Sequence, residues 1–402
     1  MASIFIIIIY LAFISLGIPD SLLGSAWPVI GPDMGASFGF AGILSMVVAG
    51  GTILSSLASG SLVQRIGTGK ITLISCCLTA GALLGFAASP SLIWLVLLAI
   101  PLGLGGGAID AALNHYVAEN YKAHHMNWLH CFWGLGATIG PIIMSYYIAK
   151  HDSWRDGYTA VSIIQFTLVI ILFVTLPLWK RVAAKKEPQS GTTQEERVGT
   201  EPVDNTANSK TRILQIRGVK QTLIAFLFYC GVEATIGLWG ASYLVGARDM
   251  TAETAAGWVS LYYGGITLGR LITGFITMKV NNKVLIRSGQ IMAVAGGLML
   301  LLPSPFFLVG LILIGLGLAP IYPGLLHETP TRFGRVHSAK LIGYQMAVAY
   351  TGTTLLPPLF GIIATQTSIV LFPVIVLAFL VIMMISAERV NKLLRGATSL
   401  DR

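Results

Sequence analysis

Residues 101–114 read PLGLGGGAIDAALN. They lie inside an apolar segment of about 92–119, which is long enough and apolar enough to predict a membrane-spanning helix. One carboxylate, Asp110, sits deep in it, the other, Glu119, standing at its last position. A charge at that depth costs about 2.5–3.5 kcal/mol on insertion scales. Such a residue is expected to face a protein-lined or watery cavity, and it marks a functional site by default. Gly103, Gly105, Gly106 and Gly107 allow close helix approach, as small residues do in membranes. A dinucleotide-binding loop is a weak reading of these glycines, because no strand precedes them and no βαβ unit surrounds them.

The rest of the chain agrees with a membrane protein. Of 402 residues, 54% are hydrophobic and 11% charged, and the mean hydropathy is +0.76. Soluble domains carry roughly 25% charged residues, so a soluble α/β enzyme is excluded on composition. The net charge of +9 does not imply nucleic-acid binding, because the basic residues fall between apolar segments. Cys76, Cys77, Cys131 and Cys230 form no C-x-x-C pair and read as small core residues. The opening MASIFIIIIYLAF has no basic region before its apolar run and reads as a first span.

Six apolar segments fall in residues 4–179 and six in 219–387. Between them lies a polar stretch that contains KKEPQSGTTQEER and DNTANSK, a composition that cannot bury a core. The expected organisation is a six-helix bundle at 1–180, a cytoplasmic linker at 181–217, a second bundle at 218–390 and a tail at 391–402. Orientation follows from Lys and Arg. Arg65, Lys70, Lys122, Lys279, Lys283, Arg287, Arg332 and Arg335 share one side with the linker, whereas Lys150, Arg155 and Arg248 lie on the other. The linker and both termini are therefore expected in the cytoplasm.

The halves read as repeats. LGLGGGAIDAALNHY in span 4 parallels IGLGLAPIYPGLLHE in span 10. Asp20 and Gly24 parallel Glu233 and Gly237, Gly60 and Arg65 parallel Gly274 and Lys279, and Gly136 and Pro141 parallel Gly352 and Pro357. A six-plus-six duplication with polar groups near the midplane is a secondary-transporter architecture.

Several stretches carry a resemblance. They are GSLVQRIGTGK at 60–70, IPDSLLGSAWP at 18–28, GLGGGAIDAALNH at 103–115, FYCGVEATIGLW at 228–239, LGRLITG at 268–274 and IYPGLL at 321–326. With these the chain resembles the major facilitator superfamily over essentially its whole length, and within it the fucose permease and glucose/mannose–proton symporter group. The resemblance implies an all-α membrane protein of twelve helices in two pseudo-symmetric bundles. Gly60, Arg65, Gly67 and Lys70 match that superfamily's gating loop, with Gln64 where the pattern has an acid. Asp20 and Asp110 match acids that take part in proton coupling in the group. Asn114 matches an Asn one turn after the second acid. His130 and Trp133 stand where the permease has other polar side chains.

Each residue also has a plainer reading. Asp20 and Asp110 can be helix-packing hydrogen-bond partners. Glu233 can contact substrate hydroxyls or stabilise span 7. Arg270, the deep cation of span 8, reads as a structural residue near the gate or as one side of an ion pair. His130 can titrate near neutrality or hold an interhelical hydrogen bond. Sugars offer C–H faces to aromatic rings and hydroxyls to polar groups, so Tyr229, Trp239 and Tyr322, with Gln345, complete the candidate substrate wall. Trp27 and Trp128, near span ends, read as interfacial anchors.

The expected activity is proton-coupled uptake of a sugar or polyol by alternating access, carried out by a monomer in the plasma membrane. The coupling ion is a proton, with sodium left open, and no cofactor or metal is expected. Two alternatives stand beside it. One is proton-driven export of a lipophilic drug or lipid, against which the deep polar groups argue. The other is a receptor or intramembrane enzyme. No H-E-x-x-H run and no Ser/His/Asp set supports an enzyme.

Overall fold

The apolar segments become long helices in the computed structural model, which describes residues 2–121, 123–184, 213–277, 279–303 and 305–398. The first half comprises α1 (Ala2–Asp33), α2 (Phe40–Ile66), α3 (Thr68–Ala87), α4 (Leu92–Asn120), α5 (Ala123–His151) and α6 (Trp154–Ala184). The second comprises α7 (Val219–Arg248), α8 (Ala252–Ile276), α9 (Asn282–Met299), α10 (Phe306–Leu318), α11 (Ile321–His327), α12 (Thr329–Phe333), α13 (Arg335–Gln366) and α14 (Phe372–Thr398). No strand occurs among the described residues. Most of the expected linker, residues 185–212, lies outside them.

Three boundaries differ from those the hydropathy suggests. Helix α6 runs on to Ala184, because Val and Ala continue a helix at little cost after the apolar run ends. Helix α14 runs to Thr398, so the expected tail is largely helical. Span 10 is broken, with Pro320 capping the start of α11. Proline has no N–H to donate and its ring crowds the carbonyl one turn back. Among the described residues, ten segments are long and apolar enough to cross a membrane, Phe306–His327 across that break being one of them. The other two full-length helices are α8, which carries Glu253 and Arg270, and α9, which carries Lys283, Arg287 and Gln290.

The two halves repeat one packing pattern. In the first, α1 packs on α5 and α6, α2 on α4, and α3 on α4 and α6. In the second, α7 packs on α13 and α14, α8 on α10, and α9 on α10 and α14. The close approaches repeat as well. Gly103 lies against the Val48 carbonyl, and its counterpart Gly315 against that of Tyr262. Gly136 lies against Ile14, and Gly352 against Leu227. A side chain at any of the four would meet backbone, so the glycines of the 101–114 stretch and its repeat hold α4 and α10 directly on their neighbours.

The halves meet through α1 on α7, α2 on α13 and α5 on α8. These contacts gather toward the end opposite the chain termini and the linker. There Phe38 stacks on Trp239 with ring centroids 4.6 Å apart, and Gly42 abuts Pro358. Ser145 donates to the Glu253 carbonyl at 2.7 Å, and Ser260 to that of Thr138 at 2.8 Å. The α2–α3 turn at the other end is open. Gly67, at φ +84°, closes α2 and opens α3, a conformation that favours glycine. Gly60, Arg65 and Lys70 around it are exposed, with no ion pair to either base among the described residues. The chain is thus closed at the far end and parted toward the linker.

Candidate functional site

Asp20 lies in the middle third of α1, yet it is exposed. Its carboxylate accepts a hydrogen bond from Trp133 Nε1 of α5 at 2.8 Å. The guanidinium of Arg270, on α8, lies over the Trp133 ring, 5.5 Å from the centroid. Arg270 in turn pairs with Glu233 of α7 at 3.6 Å. The space that reaches Asp20 is therefore walled by α1 and α5 of one half and α7 and α8 of the other. It is a cleft between the bundles rather than the lipid face.

Asp110 enters the same cleft from α4 and is close enough to act on Asp20 through its charge. Asn114, one turn along, donates to Asp110 Oδ1 at 2.8 Å and to its backbone carbonyl at 3.0 Å. The pair is local to α4, and both side chains remain partly accessible. His130, one turn before Trp133, is exposed and sits edge-on to Phe13 with centroids 6.0 Å apart.

Across the cleft, Glu233 and Arg270 keep only 17% and 15% of their side-chain surface. At that depth the ion pair takes the place of lost water around both charges. Tyr229, one turn from Glu233, is buried and tilts against Tyr322 of α11 with centroids 5.5 Å apart. The Tyr322 hydroxyl donates to Met346 Sδ at 2.9 Å. Contacts thus join Asp20, Trp133, Arg270 and Glu233 across the halves, with Asn114 on Asp110, His130 one turn from Trp133, and Tyr229 and Tyr322 packed on each other one turn from Glu233.

Two expected wall residues lie elsewhere. Trp239 is fully buried, donates to the Pro357 carbonyl at 2.8 Å and stacks on Phe38. It belongs to the closed contact between the halves, because its ring lies one and a half turns beyond Glu233 toward the sealed end. Gln345 is also fully buried, and its amide exchanges hydrogen bonds with Thr329 at 3.0 and 3.1 Å. That pairing fastens α13 to α12, and burial keeps the amide out of a solute's reach. Trp27 is buried too, holding the Phe38 carbonyl at 3.2 Å across the α1–α2 turn, rather than anchoring at an interface.

Two thiols lie nearer the cleft than their composition suggests. Cys131 and Cys230 are only partly buried, the first within range of the Arg270 charge and the second of Glu233. The signal was helical spacing, since Cys230 precedes Glu233 by three residues and Cys131 lies between His130 and Trp133. Among the described residues no group of His, Cys, Asp and Glu could hold a metal ion.

The model of the Major Facilitator Superfamily matches residues 9–326. The chain is 24% identical over 392 residues to Bypass of stop codon protein 6 of Saccharomyces cerevisiae, covering 90% of this chain and 77% of that protein. It is 25% identical over 237 residues to the glucose/mannose transporter GlcP of Bacillus subtilis, covering 57% of this chain and 56% of that one. Its fold is that of a D-xylose-proton symporter, with a TM-score of 0.69, 13% identity and 97% of each chain covered. The fold is also that of a bacterial homologue of the lysosomal transporter Spinster in an inward-facing, unoccupied conformation. There the TM-score is 0.70 at 12% identity, over 98% of this chain and 97% of that one. A repeated bundle, a polar cleft between its halves and a family match over most of the length lead to one conclusion: the chain belongs to the Major Facilitator Superfamily and is a multi-pass membrane transporter.

Proposed function

We propose that this transporter couples the entry of a proton to the uptake of a sugar or related polyol by alternating access. The observation that carries the reading is the cleft itself, where Asp20 and Asp110 are reachable deep within the bundles and lie beside hydrogen-bonding and aromatic side chains. A carboxylate that water reaches in one state and loses in another can take up a proton on one side and release it on the other. A polyhydroxylated solute fits the remaining wall. Asn114, His130 and Glu233 offer hydrogen-bonding groups, and Trp133 and Tyr322 offer ring surface. GlcP, a glucose/mannose transporter, and the fold neighbour, a D-xylose–proton symporter, point the same way.

On this reading the parted end faces the cytoplasm, together with the termini and the linker, and the protein resides in the plasma membrane as a monomer. Arg65 and Lys70 then lie on the cytoplasmic rim, where the positive-inside rule puts basic residues. Substrate and proton together favour closure of that rim more than either does alone, which is a population shift rather than a forced motion. The test is uptake by proteoliposomes of labelled hexoses, pentoses and polyols under an imposed proton gradient. Accumulation of one of them, with acid outside, supports the reading. Gradient-driven extrusion of a lipophilic dye with no sugar accumulation overturns it.

A further inference from the structure

Asp20 and Glu233 occupy corresponding positions of the two repeats, but the groups that hold them differ in kind. Asp20 holds an indole N–H, and Glu233 holds a guanidinium. Those two groups then meet across the cleft, with Arg270 over the face of Trp133. A continuous chain of contacts therefore runs Asp20–Trp133–Arg270–Glu233, drawing one residue from each of α1, α5, α8 and α7 and passing between the halves at the Trp133–Arg270 step.

The backbone under Trp133 is fixed. Its carbonyl lies against Gly17 of α1, and the next residue, Gly134, lies against the Thr267 side chain of α8. Movement of the indole is thereby confined to its side-chain torsions, and those are set by what holds the ring at each end. An ionised carboxylate accepts an N–H bond roughly twice as strong as a neutral acceptor does. A cation over an indole face is held by about 0.5–2 kcal/mol, more when water is excluded. The two holds are of similar size, so loosening one lets the other reset the ring.

We propose that Trp133 is a positioning residue that makes the protonation of Asp20 and the placement of Arg270 depend on each other. This deepens the reading of Asp20 as a proton site and rests on it. When Asp20 is ionised, its hold on the indole N–H presents the ring face to Arg270. When Asp20 takes a proton, that hold weakens, the ring turns, and Arg270 is released toward Glu233 or an incoming solute. The other titratable groups facing this chain are Asp110 from α4, His130 and Cys131 from α5, Tyr229 and Cys230 from α7, Tyr262 and Tyr263 from α8, and Tyr322 from α11.

The experiment needs no known substrate. The carboxyl stretch of Asp20 is followed by pH-difference infrared spectroscopy on the full-length protein in lipid and assigned as the band lost in Asp20→Asn. Arg270→Lys keeps the charge but removes the planar group that stacks on the indole. It is expected to move the midpoint of that band by roughly half a pH unit or more. In a Trp133→Phe background, which keeps a ring but has no N–H, Arg270→Lys is expected to move it by much less. Equal shifts in both backgrounds, or no shift in either, overturn the role of Trp133 while leaving Asp20 as a proton site. The absence of any titrating band lost in Asp20→Asn overturns the underlying reading instead, and the proposal with it. Each variant is accepted only if its thermal unfolding stays cooperative, and Trp133→Tyr serves as a second ring without the indole N–H if the Phe variant does not.

Discussion

Gly24 of α1 and Gly237 of α7, which hold corresponding positions in the two repeats, touch each other. A Cβ on Gly24 would strike the Gly237 carbonyl. Equivalent residues that meet mark the local axis relating the two halves, and here that axis crosses the closed end of the cleft. One turn further in, the equivalent acids Asp20 and Glu233 face the space that this contact seals.

Replacing Gly24 by Leu should therefore open the sealed end. Forcing a larger side chain into packed structure costs about 1–3 kcal/mol, which is a shift of about 5–150-fold in a two-state population. The strain is relieved by parting the halves rather than by unfolding either bundle. Accessibility of Cys131 to a membrane-impermeant thiol reagent, added from each side of sealed vesicles, checks this. Labelling from the sealed side should rise in Gly24→Leu, and unchanged labelling would show that the contact does not set the gate.

Glu233→Gln should destabilise the protein more than the paired change Glu233→Gln with Arg270→Gln. Removing one partner of a deep ion pair costs about 3–5 kcal/mol when fully buried, because the other charge is left alone. The accessible 15% and 17% of these side chains reduce that figure here. Thermal unfolding of the single and double variants in detergent measures the difference, and additive losses would mean the two residues do not support each other.

Trp239→Phe should lower thermal stability and leave solute affinity unchanged. The substitution abandons the Pro357 carbonyl in a buried place, at about 1–3 kcal/mol, but it touches no wall of the cleft. A fall in affinity without a fall in stability would return Trp239 to the binding wall.

Much of this was readable in the residues. The apolar segments, the duplicated motifs and the lone acids of spans 1, 4 and 7 are composition and spacing, and the close approaches at Gly103 and Gly315 follow from small residues repeated in both halves. Less readable was the direction each side chain takes. Trp239 and Glu233 lie on the same span, but one is locked between the bundles and the other faces the cleft, and no local pattern separates them. Gln345 looked like a solute contact because a polar side chain in an apolar helix invites that reading. Its partner Thr329 lies past the end of span 10, on the short α12 that follows the Pro320 break. The contact of Trp133 with Arg270 joins residues from opposite halves and depends on how the two bundles meet.

The account stands most directly on the acids in the cleft. Accumulation of a transported sugar is measured in proteoliposomes under an inward proton gradient, for the native chain, Asp20→Asn and Asp110→Asn, alongside gradient-free exchange of the same sugar. The account predicts that Asp110→Asn abolishes accumulation and keeps part of the exchange, and that Asp20→Asn uncouples in the same way. Full gradient-driven accumulation in both variants would contradict it.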